Sequence, residues 1–234
     1  MLTNLPGVSA TEPVDPADDD ELRAADGRVP GRRGRATRQR LLERTAEMLQ
    51  TSSYRDLKVV DIARGAGTSP ATFYQYFPDV EAAILVLGEE MARDGAALAE
   101  LVRDHPWKGK GGFATSTALV DGVLDFWETH RSVLRVVDLA TGEGDLRFRK
   151  IRTRLLNDLA VALSEVITGL RAERRSADDV DPMATAGVLV SMLAHVAAHR
   201  YGFEFWGIRT DDTRRSMARI VYTTVTGQKP PAGA

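Results

Sequence analysis

The sequence predicts an all-α protein: a small N-terminal head of three helices carrying a helix-turn-helix, with a larger helical domain behind it. Three observations carry this expectation. Apolar residues recur at three-to-four spacing in segment after segment between residues 36 and 226. No stretch of useful length alternates apolar and polar residues as a half-buried strand would. One stretch, Lys58 to Phe77, has the form of two short helices meeting at a glycine.

In chain order, residues 1–33 hold few large apolar residues, several Pro and Gly, and two charge blocks, so they are expected to form a disordered tail. The first block is acidic, with Asp18, Asp19, Asp20 and Glu21 at its centre. The second is purely basic: Arg28, Arg32, Arg33, Arg35, Arg38 and Arg40. The net charge is only −2, so any attraction to phosphate is local to that cationic patch. A solvated linker is the competing reading. Helix one is expected from about Ala36 to Thr51, where Leu41, Leu42, Thr45, Ala46 and Leu49 form a stripe. Ser52-Ser53-Tyr54 closes it.

Val59, Ile62, Ala63 and Ala66 then give helix two one apolar face, and Gly67 ends it, since glycine accepts the positive φ of a sharp turn. Ser69 is placed to cap helix three, and Pro70 sits at a first helical position, where its missing N–H costs nothing. Phe73 and Phe77, four apart, anchor this helix on one face. Ala71 and Gln75 then point away from the anchor, with Thr72 and Tyr74 on the flanks. Pro78 stops it. A short helix rooted by two aromatics, with small and polar groups outward, suits insertion into a major groove.

On Asp61-Ile62-Ala63, Ala66-Gly67, Ser69, Thr72-Phe73-Tyr74, Tyr76-Phe77 and Pro78, the segment from about Arg35 to Leu87 resembles the DNA-binding domain of the tetracycline-repressor (TetR) family of transcriptional regulators. Geometry and resemblance together assign expected roles. Pro70 and Ala71 contact base edges; Tyr74, Gln75 and Tyr76 reach bases or backbone; Ser69 and Thr72 meet phosphate; Arg35 and Arg38 hold phosphates or probe the minor groove. Phe73 and Phe77 are core. Two positions depart from the family pattern. Lys58 stands where threonine is common at the start of helix two, and Val80 where lysine is common before Glu81. Lysine cannot cap, but it can neutralise a phosphate. The resemblance implies a head at 34–80 and a helical ligand-binding and dimerisation domain at 81–227; the composition of QKPPAGA, residues 228–234, predicts a disordered tail. It implies a homodimer on a palindromic operator of double-stranded DNA, released by a small apolar effector, and most often repression.

Asp79 is expected to cap helix four, which runs from Val80 to about Arg103 as a connector between head and body. Trp107 to Gly112 has the composition of a loop, without P-loop spacing. Helical stripes follow at Leu119–Trp127, Val133–Leu139 and Leu155–Leu170, with a turn at Thr141–Asp145 and a charged loop at Arg171–Asp181. Pro182 opens a helix reaching Phe205, and Asp211 or Asp212 is expected to cap the last one, to about Thr226. Ala184, Gly187, Ser191, Ala194 and Ala198 run down one side of the Pro182 helix, which admits a close helix neighbour. With Met217, Ile220, Val221, Thr224 and Val225 on the last helix they form the expected dimer surface, since the family's last two helices usually build one. Tight packing inside one subunit is the other reading. Phe113, Phe126, Trp127, Leu134, Phe148, His195, His199 and Trp206 are the groups available to line a pocket.

Composition narrows the chemistry. The chain has no cysteine, which removes disulfides, thiolate metal sites and cysteine nucleophiles and fits a cytoplasmic setting. His195 and His199 are four apart, but Val196 stands where a zinc protease needs glutamate. Asp178, Asp179 and Asp181 lack EF-hand spacing, and no nucleophile elbow occurs. No metal, cofactor or catalytic activity is expected, and no membrane span. The alternative function is a helical ligand-binding or protein-interaction module whose head no longer recognises specific DNA sequences.

Overall fold

The structure, a computed structural model, describes residues 31–174 and 180–232, so the tail expected at residues 1–33 falls largely outside the described residues. Among those described there are ten α-helices, one 3-10 turn and no strand. The helices are α1 (Arg32–Thr51), α2 (Val59–Gly65), α3 (Pro70–Tyr76), α4 (Val80–Asp94), α5 (Ala96–Asp104), α6 (Gly109–Thr129), α7 (Arg131–Gly142), α8 (Leu146–Arg174), α9 (Pro182–Phe205) and α10 (Thr210–Thr226); the 3-10 turn η1 is Tyr54–Asp56.

Helices α1–α3 form the head. Leu41, Leu42, Leu49, Ile62, Ala63, Phe73 and Phe77 are all buried and make its core. α4 packs on α1 at one side and on α7 and α8 at the other, so it belongs to head and body together. α8 is the body's central helix, packed by α4, α5, α7 and α9, while α6 pairs with α10.

Several boundaries differ from expectation. α1 begins at Arg32, so Arg32 and Arg33 extend the helix instead of the tail. The expected single connector is broken into α4 and α5 at Gly95. A Cβ there would press on Leu155 Cδ1 and stand 3.6 Å from Phe126 Cζ, so the glycine marks a close approach of α8 and α6. Glycine content suggested a loop at Trp107–Gly112, yet α6 starts at Gly109. Gly112 has no side chain because its Cα lies against the Trp107 backbone, and the Trp107 indole donates to Val102 O at 2.8 Å. α8 is longer at both ends than its apolar stripe, including four residues of the expected charged loop. α10 starts at Thr210 without a side-chain cap; Asp211 and Asp212 occupy its first turn, where they still favour the positive helix end. Gln228 is tied back to α10, its amide N–H donating to Thr226 Oγ1 at 3.2 Å.

α9 is apolar nearly all round. By length and composition it is the one helix among the described residues apolar enough to cross a membrane, with mean hydropathy 1.3 over an 18-residue window. Ala186, Leu189, Val190, Leu193, Ala194 and Ala197 are buried within the subunit. Val188, Phe205 and, just past the helix end, Trp206 face outward, with 71%, 90% and 71% of their surface exposed.

Candidate nucleic-acid interface

The bend between α2 and α3 is built by local chemistry. α2 ends in paired backbone bonds, Thr68 N–H to Ala63 O at 2.9 Å and Gly67 N–H to Arg64 O at 3.1 Å, with Gly67 at φ 67°. This is the Schellman termination, in which glycine occupies the left-handed position without steric cost. Arg40, from α1, donates to Ala66 O at 3.3 Å and braces the same turn. Ser69 Oγ accepts from Thr72 N–H at 3.2 Å and lies 3.0 Å from Thr72 Oγ1, so both hydroxyls are held at the start of α3. Asp79 Oδ1 accepts from Ala82 N–H at 2.7 Å and begins α4 immediately afterwards. The path of the seven-residue α3 is therefore fixed at both ends.

Adjacent residues of α3 have opposite fates. Phe73 is fully buried, with its ring centroid 5.5 Å from that of Phe77. Tyr74 is 53% exposed and meets Phe73 only edge-on, at 5.9 Å. Ala71 and Gln75 are exposed beside Tyr74, and Ser69 and Lys58 are exposed at the starts of their helices; Pro70, Thr72 and Tyr76 are half-buried. The structure thus brings Lys58, Ser69, Pro70, Ala71, Thr72, Tyr74, Gln75 and Tyr76 onto the short helices α2 and α3 and the turn joining them. Lys58 makes no capping hydrogen bond, in keeping with its inability to cap.

The basic stretch divides. Arg32, Arg33 and Arg35 are exposed along the first turn of α1. Arg38 is buried, with its guanidinium carbon 5.4 Å from the centre of the Phe77 ring. Its expected contact with phosphate or minor groove is corrected accordingly: Arg38 is packed inside the head as a cation over an aromatic face. Charge alone could not distinguish it from its neighbours. Arg40, by contrast, was missed as a bracing residue because its carbonyl partner lies 26 positions away.

In the body, the expected pocket residues do not converge. Phe126, Trp127, Leu134 and Phe148 are buried, and Phe126 lies between Trp127 and His130. The buried Trp127 indole N–H meets no acceptor among the described residues. Phe113 packs on Tyr222 of α10, at 5.7 Å. His195, His199 and Trp206 are exposed, so they line no interior pocket. Instead His195 and His199 stack at 4.3 Å on the outer face of α9. Of the expected dimer residues, Ala184, Ser191, Ala198, Ile220 and Thr224 are exposed and Gly187 is half-buried. Ala194, Met217, Val221 and Val225 are buried within their own subunit, which corrects their assignment as interface residues: they pack α9 and α10 onto the body.

Residues 41–82 match the family described as bacterial regulatory proteins, tetR family, and residues 98–232, more than half of the chain, match the tetracyclin repressor-like C-terminal domain. The chain belongs to the TetR family. As a TetR-family chain it is 48% identical over 52 residues to the HTH-type transcriptional regulator EthR of Mycolicibacterium smegmatis, a match spanning 22% of this chain and 21% of that relative. Among solved structures it is similar to FadR, a fatty acid degradation regulator from Bacillus halodurans, with TM-score 0.60 and 14% identity over 86% of this chain and 97% of that one. It is also similar to Bacillus subtilis FadR in complex with stearoyl-CoA, with TM-score 0.58 and 15% identity over 81% and 98%. At these identities the structural likeness shows the fold, and this TetR-family fold places a helix-turn-helix ahead of a helical body.

Proposed function

We propose that this TetR-family chain is a cytoplasmic transcriptional regulator that binds a palindromic DNA operator as a homodimer and releases it when an apolar effector occupies the body. The observation that carries the reading is the division of labour on α3: Phe73 is fully buried while its neighbour Tyr74 is half exposed beside Gln75 and Ala71. Such a helix presents polar and small side chains to a groove without loosening its own anchor.

The homodimer reading is supported by the outward face of α9 and α10, where Ala184, Val188, Ser191, Ala198, Ile220 and Thr224 are exposed on apolar or small positions. Two recognition helices on a two-fold axis then meet half-sites about 34 Å apart. The effector reading is supported by the buried Trp127 N–H, because an unsatisfied interior donor costs about 1–3 kcal/mol and a ligand acceptor would remove that cost. Neighbouring Phe126 lies against the Gly95 break between α4 and α5, so a ligand that displaces it bears on the helix leading to the head. Two of the FadR neighbours are complexes with stearoyl-CoA and lauroyl-CoA, which makes long-chain acyl thioesters the first effectors to try.

The test is selection of short palindromes from random duplex DNA by the full chain, followed by gel shift with and without acyl-CoA. Enrichment of a two-fold symmetric sequence supports the regulator. Saturable acyl-CoA binding with no enriched sequence supports the alternative, a ligand-binding module without operator recognition.

A further inference from the structure

We propose that the cleft where α1 meets the α6–α7 turn is a second effector site, for a small anion carrying two or more negative charges, such as a phosphate ester or a polycarboxylate. The cleft has a volume of ≈ 410 Å³, within the range of small-molecule sites. Leu49 and Gln50 line it from the head; Glu128, Thr129, Arg131, Ser132 and Arg135 line it from the body.

Its polar groups are nearly all donors. Arg131 and Arg135 are four apart on one face of α7; Arg131 acts on Glu128 only through its charge. Arg131 is also held in place, its guanidinium carbon 4.5 Å from the centre of the Tyr201 ring. The Thr129 and Ser132 hydroxyls and the Gln50 amide add hydrogen bonds of the kind a phosphate or carboxylate accepts. The one carboxylate, Glu128, is already matched: Arg200 donates to it, and Tyr201 OH donates at 2.8 Å. These bonds, the Tyr201 hydroxyl first, together with the positive charges of Arg200 and Arg131, hold Glu128 ionised. Three guanidinium groups, those of Arg131, Arg135 and Arg200, thus stand around one carboxylate, and the excess of positive charge suits a divalent or trivalent anion better than a monovalent one.

The position gives the site a consequence. An anion bound by Arg131 and Arg135 and touching Gln50 ties the end of α1 to the body, and so favours one setting of the head. This coupling rests on the regulator reading; binding itself does not.

Calorimetric titration of the full chain with pyrophosphate, and separately with citrate, tests the site against sodium chloride at matched ionic strength. Saturable binding of at least one anion is expected. Preference between the two identifies phosphate or carboxylate as the chemistry read. The Arg131→Gln/Arg135→Gln variant should bind at least tenfold more weakly, whereas Arg149→Gln/Lys150→Gln, with the same charge loss on α8, should bind as the parent does. Thermal melts confirm that both variants fold. Equal weakening by both double variants, or no saturation by either anion, overturns the proposal. Because no DNA is present, that result leaves the operator reading standing, and failure of operator selection leaves the anion site standing.

Discussion

Substituting Phe73 and Tyr74 separately tests whether α3 is a reading helix, because the two neighbours should fail in opposite ways. Phe73 has no exposed surface and packs on Phe77. Removing such a ring by Phe73→Ala costs about 3–5 kcal/mol, a large part of a domain stability of about 5–15 kcal/mol. The head should unfold early, and DNA binding should fall with it. Tyr74 is half exposed and contacts Phe73 through one edge. Its aromatic contact is worth about 1 kcal/mol at most in that setting, so Tyr74→Ala should melt within a few degrees of the parent. In DNA binding the order reverses. One lost base contact costs about 1–3 kcal/mol, and a dimer loses two, so affinity for the selected palindrome should fall by about 30-fold or more. Thermal denaturation and gel shift on the same preparations suffice. Parent-like affinity in Tyr74→Ala would refute the groove-facing assignment of α3, whatever the melts show.

Three other substitutions probe separate parts of the argument. Lys58→Ala should weaken binding about equally on all DNA sequences and flatten the salt dependence by about one unit per protomer, as loss of a phosphate contact does; a sequence-dependent loss would place Lys58 at a base instead. Gly112→Ala should lower stability by about 1–3 kcal/mol by melting temperature, since the new Cβ strikes the Trp107 backbone; helix propensity alone predicts the opposite sign, so a rise would count against the packing of α6 on Trp107. His130 is half-buried on Phe126, and burial lowers its pKa more than Asp94, 3.5 Å away, raises it. The unfolded chain therefore takes up this proton first as the pH falls below about 6.5, and stability declines until the folded imidazole protonates too. His130→Phe should make the melting temperature less sensitive to pH between 7.5 and 5.5; parallel slopes would remove His130 as the cause.

What was legible in the sequence is what short-range chemistry decides. Gly67, Ser69, Pro70 and Asp79 act on neighbours within five residues, so the bend between α2 and α3 and the start of α4 could be read directly. The Gly95 break could not, because its neighbours Leu155 and Phe126 are distant in sequence; the Gly109 start could not, because three glycines read as a loop although Gly112 serves the close approach of the Trp107 backbone. Arginine gives the same lesson. A run of positive charge does not reveal that Arg38 lies over Phe77 while Arg40 holds a turn carbonyl. On α9 the small-residue stripe was visible, but an apolar helix carries no polar face to mark its outside. The sequence could not show that Ala194 points in and Ser191 out.

The seam between head and body suggests how a modest ligand effect could reach DNA. The α7–α8 turn, in which Gly144 takes φ 97°, is flanked by contacts to η1 and to the first turn of α4. Glu143 pairs with Arg55 and accepts from Tyr54 OH at 3.5 Å, both on η1, while Arg147 donates to Glu81 in the first turn of α4 at 3.0 Å. Asp145 steadies that arginine at 2.7 Å, which holds its own carboxyl down to about 2. These pairs are solvent-exposed, and exposed ion pairs orient more than they stabilise. These pairs add register to a seam whose packing is apolar, through α4 on α1, α7 and α8. α4 spans roughly 22 Å, from Asp79 in the head to the Gly95 break beside Phe126, so a small shift at the break swings its far end. Coupling between sites is ordinarily worth about 1–3 kcal/mol. Because Ile84 and Met91 of α4 lie in the buried core that head and body share, a shift at the break is carried along α4 by apolar packing while the exposed pairs adjust to it, and this is the physical reason for expecting ligand control of operator binding in this chain.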